Sequence, residues 1–97
     1  MTEITLIAKV KAKKGMEETL NAELTSLVEP TRKESGCLTY ILHQDTKDKS
    51  KFMFYENWFN KIALDKHLET EHLKAFLAKA DDLLDGGLDV TMWDKVV

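Results

Sequence analysis

Residues 37–58, CLTYILHQDTKDKSKFMFYENW, decide how this 97-residue chain is organised. Leu38, Tyr40 and Leu42 alternate with Thr39, Ile41 and His43, and Phe52, Phe54, Glu56 and Trp58 alternate with Met53, Tyr55 and Asn57. A period of two is that of a strand. The polar run Thr46-Lys47-Asp48-Lys49-Ser50 between them is turn chemistry, so the stretch reads as a β-hairpin.

On each side of the hairpin the pattern changes to a helix and then to a strand. Upstream, Ile4, Leu6, Ala8 and Val10 alternate with Thr5, Ile7, Lys9 and Lys11, and Lys13-Lys14-Gly15 makes a turn. Met16, Leu20, Leu24, Leu27 and Val28 then recur at helical spacing. Pro30 is expected to kink or interrupt this helix, since it lacks an N–H and crowds the preceding turn. The helix resumes over Thr31–Glu34 and stops at Ser35-Gly36, with glycine as the expected C-terminal cap. Downstream, Asn60 suits the N-cap of a short helix carrying Ile62, Ala63, Leu64 and His67. Thr70 suits the cap of a second, with Leu73, Phe76, Leu77, Ala80 and Leu84 on its apolar face and Gly86-Gly87 as its stop. Leu88, Val90 and Met92 alternate in a last strand. The order β-α-β-β-α-β, with the second helix broken in two, predicts an α+β, ferredoxin-like fold: one domain over residues 1–97 with an antiparallel sheet.

Side-chain parity assigns the faces. Ile4, Leu6, Val10, Leu38, Leu42, Phe52, Phe54, Leu88, Val90 and Met92 share the side expected to meet the helices. The other side carries Ile7, Ile41, Met53, Tyr55, Phe59 and Trp93, where a solvated face should be polar. A large apolar patch needs a cover, and the expected cover is a second copy packed sheet to sheet, which makes the protein a homodimer.

Glu56, Trp58 and Tyr40 fall on the helix side of the sheet, and His67 and His72 lie on the helices that fold back over it. Taking a lone carboxylate out of water costs several kcal/mol. Glu56 therefore needs a partner, and either histidine is placed to supply one. Two readings stay open: a buried pair that only anchors a helix, with Trp58 as core, or the polar lining of a mostly apolar pocket.

Composition removes other classes. A net charge of −3 gives no basic footprint for nucleic acid. No apolar stretch reaches the roughly 20 residues that span a membrane. MTEITLIAKVKAKKG lacks the charged-then-apolar order of a signal peptide, so a cytoplasmic location is expected. Cys37 is alone and reads as a small buried hydrophobe at a strand start. His67 and His72 are five apart, unlike the i, i+4 pair of a metalloprotease, and there is no Cys-x-x-Cys, so no metal is expected. No glycine-rich phosphate loop or dinucleotide fingerprint occurs. The run Pro30-Thr31-Arg32-Lys33-Glu34 reads as a solvated helix end.

EPTRKESGCLTYILHQD, FMFYENW and HLETEHLKAF together resemble the antibiotic biosynthesis monooxygenase (ABM) family, over essentially the whole chain and most closely its quinol monooxygenase subgroup. Relatives usually have Thr-Pro-His where this chain has Thr70-Glu71-His72. The resemblance implies a dimeric α+β barrel that oxidises phenols or hydroquinones with O2, without metal or organic cofactor. Trp58 matches the Trp of haem-degrading members, but Ala8 stands at their strand-one Asn and no His occurs at Leu77–Lys79, so haem degradation is not expected. A cofactor-free isomerase of a small carbonyl metabolite and a non-catalytic small-molecule binder are the alternatives. In the leading reading a small aromatic substrate sits between helices and sheet, among Tyr40, Phe54 and Phe76. His67 or His72, oriented by Glu56, removes a phenolic proton. Tyr40 or Trp58 steadies the resulting oxyanion.

Overall fold

The computed structural model describes residues 3–97. Its elements are β1 (Ile4–Lys11), α1 (Glu17–Arg32), β2 (Cys37–Gln44), β3 (Lys51–Trp58), α2 (Lys61–Leu68), α3 (Glu71–Leu83) and β4 (Asp89–Trp93). The strands form one antiparallel sheet in the order β2-β3-β1-β4. This is the expected α+β, ferredoxin-like arrangement.

The helices lie over the face that parity selected. Leu6, Ala8, Val10, Phe52, Phe54 and Trp58 are buried there with Leu20, Leu24 and Leu27 of α1, Leu64 of α2 and Phe76 and Leu83 of α3. Each such side chain contributes about 1.5–3 kcal/mol on burial, so this face accounts for most of the fold's driving force. Two assignments to that face need correction. A bulge between Cys37 and Thr39 turns Leu38 out to solvent and lets Cys37 pack against the core instead. The helices also stop short of β4: Val90 and Met92 pair with Ala8 and Leu6, yet they remain exposed, as does Leu88. On the far face Ile41, Tyr55 and Trp93 are exposed, the row expected to need a cover.

The breakers act differently from expectation. Pro30 falls inside the last turn of α1, and the helix runs through it to Arg32. So near a C-terminus the missing N–H forfeits one bond, and the helix does not break. Gly36 is not a left-handed cap; positive φ among non-terminal turns occurs at Gly15 and Gly86. Gly36 is instead a point of close approach: a Cβ there would collide with Ala63 of α2, and its carbonyl accepts from Phe59 N at 2.8 Å. α3 ends at Leu83, before the two glycines, because Leu84 turns extended and bridges Ala12 of the chain leaving β1.

The helix starts are as expected, and they aim the histidines. Asn60 Oδ1 accepts from Ala63 N at 2.9 Å. Thr70 Oγ1 accepts from Leu73 N at 3.4 Å and donates to the His67 carbonyl at 2.8 Å. That one hydroxyl ties the end of α2 to the start of α3, bringing His67 and His72 to the same junction.

Candidate functional site

A cavity of about 120 Å3 opens between the sheet and the helices. Its floor is Leu6, Ala8, Val10, Phe54 and Glu56, and its roof includes Leu64, His67 and Phe76. The wall is apolar except at Tyr40, Glu56 and His67.

Glu56 is 4% exposed, and Trp58 Nε1 donates to its Oε1 at 2.9 Å. That is its single hydrogen bond among the described residues. Burial pushes the Glu56 carboxyl up to about 7, the Trp58 N–H opposes the shift, and the charge of Glu34 adds to it. The expected Glu56–histidine pair does not form. Both histidines go to Glu34, which lies just beyond the C-terminus of α1. His67 Nδ1 lies 3.0 Å from Glu34 Oε2 and 3.2 Å from Oε1. His72 Nε2 lies 2.7 Å from the same Oε2. The reading of residues 30–34 as a solvated helix end is thus corrected: Thr31 is fully buried, Arg32 Nε donates to the Tyr40 carbonyl at 3.0 Å, and Glu34 holds the helix junction.

The network assigns the His67 tautomer. An ionised carboxylate only accepts, so the ring nitrogens facing it must donate. The proton of neutral His67 is then on Nδ1, and Nε2 keeps a bare lone pair. Nε2 has no partner among the described residues, and Thr31 Oγ1 is the one buried side-chain polar atom left unpaired there. Nε2 is therefore not sealed in by protein, and His67 lines the cavity. Burial pulls the His67 pKa down and Glu34 partly offsets this, which favours the neutral ring. Its plane leans on Trp58 at a centroid distance of 4.5 Å.

The other candidates separate. Phe54 and Phe76 line the cavity as expected. Tyr40 also lines it, stacked on Phe54 at 4.5 Å, and burial followed by the Glu56 charge drives its hydroxyl well above the usual range. Trp58 is fully buried behind His67 with its N–H committed to Glu56, so it is not available to steady an oxyanion. His72 stands outside the cavity with a quarter of its side chain exposed. His43 is exposed on β2. The residue missed in the sequence is Glu34. The available signal was its place before Ser-Gly-Cys, where a glycine lets a second helix approach.

A sequence profile of the family described as "Antibiotic biosynthesis monooxygenase" matches residues 3–79. The chain belongs to the antibiotic biosynthesis monooxygenase family. Within it, "Putative monooxygenase YcnE" of Bacillus subtilis is 36% identical over 87 residues, covering 90% of this chain and 92% of that protein. "Uncharacterized protein sll1783" of Synechocystis is 35% identical over 81 residues, 84% of this chain, and the chain spans only 55% of its length. Among solved structures, PA3566 from Pseudomonas aeruginosa superposes with a TM-score of 0.95 at 38% identity, covering 100% of this chain and 97% of that one. Of these three relatives, one is named a putative monooxygenase. No helix among the described residues is long and apolar enough to cross a membrane.

Proposed function

We propose that this ABM protein is a cofactor-independent monooxygenase, a homodimer that oxidises a single-ring phenol or hydroquinone with O2. One observation carries the reading: an apolar cavity the size of one ring is lined by one imidazole, His67, and one buried carboxyl, Glu56. Its volume of about 120 Å3 is close to the ~150 Å3 of an engineered apolar cavity that takes up benzene.

His67 Nε2 accepts the phenolic proton, and Glu34 stabilises the imidazolium that results. The ring stacks near Phe54, in a setting dry enough to limit stray radical chemistry. The phenolate passes one electron to O2, which avoids the spin barrier to direct reaction of triplet O2. The two radicals combine to a ring peroxide anion, which takes the proton back from the His67 imidazolium and becomes a hydroperoxide. His67, neutral again, removes the ring hydrogen from that carbon as the O–O bond breaks and later returns this proton to Glu56, so that substrate and O2 give quinone and water. Glu56 in its protonated form donates to the departing hydroxide; a group titrating near the working pH is suited to that step. The exposed row of Ile41, Tyr55 and Trp93 supports a dimer closed over the far face of the sheet.

Oxygen uptake with a panel of one-ring phenols and hydroquinones tests the activity, and light scattering tests the dimer. Stoichiometric O2 consumption with quinone formation is expected. Melting shifts with these compounds but no turnover would make the cavity a binding site, and a stable monomer would remove the proposed assembly.

A further inference from the structure

Glu34, His67 and His72 come from three separate segments: the turn after α1, the last turn of α2 and the first turn of α3. One ligand-type atom from each lies within 4.8 Å of the others. Two imidazoles and a carboxylate form a donor set that suits zinc and its neighbours. The spacing fits as well. Two ligands at about 2.1 Å from an ion, and 90–109° apart at it, are roughly 3.0–3.4 Å from each other. Two of the three edges, 3.0 Å for His67–Glu34 and 2.7 Å for His72–Glu34, need open by only tenths of an ångström, and the third, between the two imidazole nitrogens, lies within 4.8 Å and closes toward the same span on binding.

Two further observations point to a cation. The Glu34 carboxylate is 15% exposed and pairs with no Lys or Arg among the described residues; its partners are the two histidines. The His72 side chain is 25% exposed, so the cluster has a route for an ion and room for water to complete its shell. The Thr70 hydroxyl on the His67 carbonyl already fixes the junction that holds both rings.

We propose that Glu34, His67 and His72 form a binding site for one divalent transition-metal ion, with Zn2+ as its representative, and that occupancy switches off the pocket base. The ion replaces the proton on His67 Nδ1. A neutral imidazole carries one N–H, so that proton moves to Nε2, and the nitrogen on the ring edge away from Glu34 changes from acceptor to donor. The ion thus inhibits from behind the ring without entering the cavity. This second half rests on His67 being the base; the site itself does not.

The test uses the full chain, untagged and stripped with chelator, titrated with ZnCl2 by calorimetry. Binding of one ion per chain is expected. His72→Ala and Glu34→Gln should each weaken it by about 100-fold or more, at or beyond the upper end of what loss of an outer-shell partner costs. His43→Ala, an exposed histidine elsewhere, should leave binding unchanged and serves as the control. Circular dichroism of each variant establishes that it is folded. Absence of one-to-one binding by the wild type, or equal binding by folded His72→Ala, overturns the site. In nitrogen-15 spectra the His67 proton should move from Nδ1 to Nε2 as Zn2+ is added, and a proton that stays on Nδ1 overturns the switch. Zn2+ should suppress hydroquinone oxidation by the wild type but not the residual activity of His72→Ala. If the stripped protein consumes no O2 at all, the oxygenase reading fails while the calorimetric result for the site stands.

Discussion

Two carboxylates, Glu56 fully buried and Glu34 half-buried, sit close to the same helices, and the chain treats them differently. Glu56 stands in the middle of a strand, in an apolar wall, with one indole N–H for company. Glu34 stands at a helix junction and receives two imidazoles. The first is under-solvated, and its carboxyl rises to about 7. The second is well supplied with donors and fixes the tautomer of its neighbour. In the proposed reaction a carboxylate's role follows from its donors: Glu56 trades a proton with the cavity it lines, while Glu34, which does not line it, orients the base.

Removing the base should give the largest effect. His67→Ala is expected to leave a folded protein whose hydroquinone turnover drops by about 10²–10⁴-fold, the usual share of general acid–base catalysis. Oxygen-electrode rates on protein checked by circular dichroism measure this. Undiminished rates would move the base elsewhere.

Glu34→Gln comes next. Both histidine nitrogens face Oε2, so an amide either turns its NH2 on both N–H groups or, with its oxygen there, sets its NH2 against the His67 Nδ1–H. Losing the charge-assisted bonds should lower stability by roughly 1.5–3 kcal/mol. Urea unfolding would register this, and a change below 1 kcal/mol would contradict it.

Glu56→Gln should do the opposite. The folded pKa lies above the ordinary carboxylate value of 4.5, so the native state holds its proton more tightly than the unfolded chain. Wild-type stability should therefore fall as pH rises from 4.5 through about 7 and level off above, with a span on the order of 3 kcal/mol. Gln keeps the acceptor for Trp58 and carries no charge. The variant should lack that decline and be the more stable of the two at pH 8. Parallel pH profiles would refute the raised pKa.

The same pair of residues shows what could be read from the sequence. Alternation gave the strands, their order and the face on which Glu56 lies, because a period of two leaves no freedom once one face is buried. Asn60 and Thr70 announced their helices through their side-chain chemistry. His67 and Glu56 were placed at the cavity, but their pairing was not legible. Glu34 is 33 residues from His67 and 38 from His72, and no local period links them. The partner is fixed by how closely α2 approaches the turn after α1, where Gly36 admits Ala63. The bulge at Leu38 and the uncovered β4 were likewise products of packing, invisible to parity alone.

The proposed reaction depends on Glu34, and not Glu56, orienting His67. Long-range proton–nitrogen-15 correlation spectra of the histidine rings at pH 7.5 test this directly, on metal-free protein. The expected result is His67 protonated at Nδ1 and bare at Nε2 in the wild type and in Glu56→Gln, with that preference lost in Glu34→Gln. A proton on Nε2 in the wild type, or a tautomer that answers to Glu56→Gln and ignores Glu34→Gln, would contradict it.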